Sequence, residues 1–322
     1  MNIHFIAIGG SVMHNLAISM HQKGHKVTGS DEEIYEPSHS RLNHYGLLPD
    51  KNGWDPSRIH QNLDMVILGM QAGKTNPELK RAYDHAVPVY SLPEFLHEYC
   101  NYKKRIVIGG SRGKHIITAM VMHILQDCRC EFDYLLGSQI DGCDPRVKMT
   151  ESAPWMILEG DECLHTPLNC RKKFHLYCPH LTLLSGIAWD QIQMFGTYEK
   201  YKKQFRIFLD MATGGGKVYY CERDPVLCDL VDACHWSLLK IPYREHPYAV
   251  DSGRFLLHSK YGEIPLMLSG RNHMEHIQAA LLVCRELGVK DHQFYQSIQN
   301  FSTAEERHEL LSGVPETGLI TS

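Results

Sequence analysis

The chain alternates two patterns of apolar positions. Short continuous apolar runs end in glycine or acid, and longer segments with apolar residues at helical spacing follow them. "IHFIAIGG" is an apolar run closed by Gly9 and Gly10, which predicts a first strand. The next segment sets Met13, Leu16, Ala17 and Met20 on one face and stops at Gly24, which predicts a helix. "HKVTGSD" reads as the following strand. "RLNHYGL", "MVILGM", "PELKRAYDHAV" and "VYSLPEFL" carry the alternation to about residue 100. Strands interleaved with helices in this way imply a doubly wound α/β domain. The polar stretch "NYKKR" marks a junction, and a new strand opens the second unit at Arg105. Later strands are expected at "WMILEGD", "LTLLSGI", "GKVYYC" and "RFLLHS". Helices are expected at "TYEKYKKQFRIFLDMA" and "NHMEHIQAALLVCRELGV". No internal repeat or low-complexity linker interrupts the pattern.

Length and composition narrow the class. At 322 residues there is room for two domains with sizeable cores. Hydrophobic residues make up 43% and charged residues 22%, with a formal net charge of -4, so bulk electrostatics favours neither nucleic acid nor an anionic membrane. No apolar run approaches the ~20 residues that span a bilayer. The N-terminus lacks the basic start and long apolar stretch of a secretory signal. The eleven cysteines are scattered, with only Cys128 and Cys130 close together, as expected of reduced, structural thiols in a cytoplasmic protein. No HExxH zinc signature occurs.

Five stretches carry candidate chemistry. Gly9 and Gly10 stand at a strand-to-helix turn, with Asp31 at the end of the next strand. In dinucleotide folds such glycines let backbone N–H groups approach a diphosphate, and the carboxylate binds a ribose hydroxyl. The third glycine of that fingerprint is missing, so a plain tight turn fits as well, and a nicotinamide-dependent oxidoreductase is the weaker reading. In "VIGGSRGKHIITAM", Gly109, Gly110 and Gly113 can cradle phosphate and Lys114 can add a point charge. Ile108 and His115 break the strict phosphate-loop pattern, leaving open a glycine turn before a buried helix. "WMILEGDE" runs into Glu159, Asp161 and Glu162, placed to hold Mg2+ or to form a solvated acidic turn. "GIAWDQIQMF" ends a strand with Asp190. "GRNHMEHIQAA" starts a helix with Arg271, Asn272 and His273, which can reach a nucleotide or cap the helix.

In this order the glycine turn, "GSD", "GGSRGK", "ILEGDE", "GIAWDQI" and "GRNHMEHIQAA" resemble the Mur ligase family, in its UDP-N-acetylmuramate branch. "GMQAGKTNPEL", "YSLPEFL", "KFHLYCPH" and "FRIF" extend the likeness over nearly the whole chain. The resemblance implies a Rossmann-like domain at 1–101 that binds UDP-N-acetylmuramate through Gly9, Gly10, Ser11, Met13, Asp31 and Gln71. It implies a P-loop-like central domain at 102–301. There ATP would meet Gly110, Ser111, Arg112, Gly113, Lys114, His115, Ile116, Arg271, Asn272 and His273, and Mg2+ would meet Glu159. Residues 302–322 would begin a C-terminal domain that the sequence stops short of. The implied activity is an ATP-dependent carbon–nitrogen ligation joining UDP-N-acetylmuramate to a murein peptide through an acyl phosphate, with Lys114, Glu159 and Asp190 as catalytic residues.

The chain also departs from that family at the positions that matter. The family's G-T/S-x-G-K-T-T reads Gly110-Ser111-Arg112-Gly113-Lys114-His115-Ile116, which removes the hydroxyl expected on Mg2+. Its D-H reads Asp190-Gln191, its G-x-H-N reads Gly270-Arg271-Asn272-His273, and Gln71 stands where this branch shows histidine. Phe205 stands where later-acting branches carry a modified lysine. The resemblance therefore implies a retained fold with an altered ATP site. A binding protein that keeps the UDP-sugar pocket without turnover is the alternative.

Overall fold

The computed structural model describes residues 1–137, 140, 143, 145–160, 173–188, 195–234, 237–268 and 270–302. The N-terminal unit comprises β1 (Asn2–Ile6), α1 (Met13–Gln22), β2 (Lys26–Ser30), α2 (Ser38–His44), β3 (Met65–Leu68), α3 (Pro77–Asp84), β4 (Val89–Ser91) and α4 (Leu92–Tyr99). Its strands form a four-stranded sheet in the order β2-β1-β3-β4. Every pairing is parallel. On α1 the expected face is in the core: Met13, Leu16, Ala17 and Met20 are at most 5% exposed. Gly24 ends that helix at φ +83, a conformation that side chains resist. "VYSLPEFL" divides into a strand and a helix. Ser91 and Glu94 close a capping box between them.

The second unit carries β5 (Lys104–Gly109), α5 (Lys114–Asp127), β6 (Asp133–Leu135), β7 (Val147–Lys148), β8 (Trp155–Glu159) and β9 (Leu181–Leu184). It continues with α6 (Tyr198–Asp210), β10 (Lys217–Cys221), α7 (Pro225–Asp232) and β11 (Leu239–Tyr243). The seven strands run β11-β10-β9-β5-β8-β6-β7. All pairs are parallel except β6 with β7. The runs Ile106–Ile108, Met156–Leu158 and Leu181–Leu184 are continuous rather than alternating because helices cover both faces of a parallel sheet. The chain then forms a small antiparallel sheet of β12 (Tyr248–Asp251), β13 (Arg254–Ser259) and β14 (Gly262–Pro265). The described residues close with α8 (Asn272–Glu286) and α9 (Asp291–Ile298). Only β13 of that sheet is expected from the sequence. Its neighbours are short and half-exposed, so no apolar run announces them. Phe205 lies on α6 fully buried, with its ring 5.2 Å from that of Tyr201. It is a core residue here.

Candidate functional site

The first site lies at the turn after β1. Gly9 and Asp31 hold the turn to the end of β2, because Asp31 Oδ2 accepts the Gly9 N–H at 2.8 Å and Oδ1 accepts the Glu32 N–H at 2.9 Å. A β-carbon on Gly9 would come within 2.9 Å of that carboxylate, so the latch requires glycine. Burial raises the pKa of Asp31, and the Gly9 N–H opposes it. The sequence reading gave Asp31 to a ribose. The structure shows a carboxylate already accepting two backbone donors, with fewer lone pairs left for a ligand.

A cleft of about 520 Å³ opens beside this turn. Gly9, Gly10, Ser11, Asp31 and Gln71 line it, as do His14, Asn15, Arg41 and Arg146. Met13, expected there, turns its side chain into the core instead, where it is 5% exposed, because it sits on the buried face of α1. His14 Nδ1 lies 2.8 Å from the Gly10 carbonyl and 2.9 Å from Ser38 Oγ, which braces the helix start against α2. The loop after β2 contributes Glu32, Glu33 and Glu36 to the lining. Each has a local donor: Trp54 Nε1 on Glu32, the Tyr35 hydroxyl on Glu33 and Ser40 on Glu36. Arg41 and Arg146 supply positive charge, and Arg146 arrives from the second unit just before β7. Sequence reading missed both arginines. Nothing near Arg146 in the chain marks it, since only the packing of the two units brings it to this cleft.

The second site is the loop between β5 and α5, at the carboxyl end of a central strand where open α/β sheets bind ligands. Gly110 adopts φ +127 and Gly113 φ +78. A β-carbon on Gly110 would overlap Ser185 Oγ, and one on Gly113 would overlap His276 Nε2. Ser111 ties the loop to the segment after β9: its N–H donates to the Gly186 carbonyl at 3.0 Å and its Oγ accepts from Ala188 N at 2.7 Å. Lys114 opens α5, and Thr118 Oγ1 donates to its carbonyl.

Glu159 reaches this loop by sheet register, because β8 pairs with β5 so that Glu159 stands opposite Ile108. It is 2% exposed. Its Oε2 accepts the Gly137 N–H at 2.9 Å, and its Oε1 is in contact with His115 Nδ1. His115 thus stands on the carboxylate that the family resemblance assigns to Mg2+. That ion prefers six oxygen ligands in a near-ideal octahedron. Here one carboxylate oxygen has a backbone donor, the other has an imidazole nitrogen, and position 115 offers no hydroxyl. The described residues at this point do not fit Mg2+. Nor do three side chains of metal-binding type converge anywhere among the described residues. Asp161, Glu162, Asp190 and Gln191 lie outside them.

Arg271 pairs with Glu245, Nε to Oε2 3.4 Å, and Asn272 is exposed as the first residue of α8. His273 packs its ring 5.8 Å from that of His276. The contact with the loop is made by His276, one turn further along α8, which sequence reading passed over. Burial, with His273 and Arg223 beside it, pushes its pKa down to about 4.

Comparison with known proteins agrees with this architecture. Residues 2–104 match the Mur ligase family, catalytic domain. UDP-N-acetylmuramate--L-alanyl-gamma-D-glutamyl-meso-2,6-diaminoheptandioate ligase of Escherichia coli (strain K12) is 27% identical over 323 residues, covering 96% of this chain and 69% of that protein. UDP-N-acetylmuramate--L-alanine ligase of Syntrophomonas wolfei is 23% identical over 322 residues, covering 96% and 67%. The crystal structure of UDP-N-acetylmuramate:L-alanyl-gamma-D-glutamyl-meso-diaminopimelate ligase from Neisseria meningitides superposes with a TM-score of 0.81 at 20% identity, over 94% of this chain and 98% of that one. The two curated relatives are thus matched over about two thirds of their length. Residues 2–104 thus match a Mur ligase family domain, and the glycine turn, the two sheets and the loop on β5 sit in a fold shared with a murein peptide ligase.

Proposed function

We propose that this chain is a Mur-type protein whose residues 1–101 bind UDP-N-acetylmuramate. Residues 102–301 would keep the frame of an ATP-dependent carbon–nitrogen ligase with impaired phosphoryl transfer, and 302–322 would begin a further domain. The reaction of that frame joins the muramyl carboxylate to the amine of a murein peptide. A carboxylate is a poor electrophile, and phosphorylation gives it a leaving group that the amine displaces. The observation that carries the first half of the reading is the cleft beside the Gly9–Ser11 turn. Backbone N–H groups at the start of α1 and the guanidinium groups of Arg41 and Arg146 suit a diphosphate there.

In the second unit Lys114 and the amides of Gly110, Arg112 and Gly113 would hold the nucleotide phosphates. Ser111 keeps the loop in place through Gly186 and Ala188. No step is assigned to Mg2+, because Glu159 is engaged by His115 and Gly137. The same observation favours a second reading, in which the chain binds the sugar nucleotide without turning it over. No helix among the described residues is long and apolar enough to cross a membrane, and a cytoplasmic site of action is part of the proposal.

Calorimetric titration with UDP-N-acetylmuramate tests the binding half. Saturable binding and a rise in melting temperature through linkage are expected. The absence of both at saturating ligand rejects the first-unit assignment. Release of phosphate from ATP when the sugar nucleotide and a murein tripeptide are added distinguishes ligase from binding protein.

A further inference from the structure

We propose that the second unit takes its nucleotide as the metal-free polyphosphate, with His115 standing on Glu159 in place of a divalent cation. The proposal rests on reading the β5–α5 loop as a nucleotide site. It goes beyond that reading by removing the ion through which such sites normally hold a nucleotide.

Three observations converge on it. The first is occupancy of the carboxylate. Glu159 is buried, and its two oxygens face the Gly137 N–H and His115 Nδ1. A cation that bound there would have to displace the imidazole from the carboxylate it already contacts. The second is the donor set. The first residue after Lys114 supplies an imidazole in place of a hydroxyl, and Mg2+ discriminates against nitrogen in favour of oxygen. The third is charge. Arg112 and Lys114 flank Gly113, so the loop carries two fixed cations of its own. A free polyphosphate presents more negative charge to that pair than its Mg2+ complex does, and charge-assisted hydrogen bonds strengthen accordingly.

The side chain of His115 is 59% exposed, so replacing it opens no cavity in the apolar core. The full chain and a His115→Thr variant are titrated calorimetrically with ADP, once in EDTA and once in excess Mg2+. Protein-bound Mn2+ is followed in parallel by electron paramagnetic resonance. For the unmodified chain ADP is expected to bind several-fold more weakly in excess Mg2+ than in EDTA, because the ion ties up the free polyphosphate, with no Mn2+ bound at the site. In His115→Thr, Mg2+ is expected to tighten ADP about tenfold and a bound Mn2+ signal to appear. ADP binding that Mg2+ tightens in the unmodified chain overturns the proposal. So does a His115→Thr variant that gains no metal, because the exclusion would then not come from the imidazole. If neither chain binds ADP in either buffer, the loop is not a nucleotide site and the proposal falls with that reading. That outcome is distinct from metal-dependent binding.

Discussion

The imidazole of His276 fills the space that a β-carbon on Gly113 would need, so the loop after β5 and the helix α8 are fitted to each other at this one contact. Gly113 is also at φ +78, where L-residues are strained. Gly113→Ala therefore meets two penalties, and a loss of about 2–4 kcal/mol of unfolding free energy is expected. In a His276→Ala background the overlap is gone, so adding Gly113→Ala should cost only the backbone strain, about 1–2 kcal/mol. Urea denaturation of the two single variants and the double variant measures the coupling. Strict additivity would show that the two residues do not meet.

His276 also sets a pH dependence. Its pKa falls from 6.5 to about 4 on folding, chiefly through burial. Between those values the unfolded chain binds the proton and the folded chain does not, so stability rises with pH across that window. The contribution is complete above about 6.5, is lost as pH falls toward 4, and is flat below it. Burial also lowers the pKa of His25, His180 and His246, which act with the same sign. The difference between the unmodified chain and His276→Gln isolates the single group. Denaturant midpoints from pH 4 to pH 7 should decline less steeply in the variant, and identical slopes would contradict the assignment.

Arg146 crosses from the second unit to line the cleft beside Gly9 and Ser11. Arg146→Ala should weaken UDP-N-acetylmuramate binding about five- to tenfold, the worth of one charge-assisted contact, and Arg41→Ala should do the same. Both losses should shrink at high salt because the contacts are partly exposed. Calorimetry at two ionic strengths checks this. Unchanged affinity in both variants would place the diphosphate elsewhere.

What could be read from the chain follows from where the physics is local. The buried parallel strands announced themselves because continuous runs such as Ile106–Ile108 have few other uses in a chain of this composition. The turn at Gly9 and the loop at Gly113 were legible because their backbones need glycine. Glu159 was legible as a strand-end carboxylate. Its partner was not, because the contact with His115 depends on the register of β8 against β5 and on the rise of α5. His276 and Arg146 were missed for the same reason: each acts across elements distant in sequence. Met13 is a mixed case. Its side chain faces the core, so only its backbone N–H at the start of α1 is left for a ligand.

Where the first unit gives way to the second, Lys103 Nζ lies 2.9 Å from Asp133 Oδ2, with both side chains fully buried. Lys103 also donates to the Ala153 carbonyl at 2.6 Å, and Asp133 accepts from Thr150 N and Thr150 Oγ1 at 2.8 Å each. Removing one charge strands the other without solvent. Lys103→Met is therefore expected to cost about 3–5 kcal/mol, as is Asp133→Leu. The double variant should recover much of that loss, because the desolvation cost disappears with the pair, though Thr150 and Ala153 lose their partners. A double-mutant cycle by chemical denaturation measures the coupling. Single variants within about 0.5 kcal/mol of the unmodified chain would show that the pair is solvated in solution.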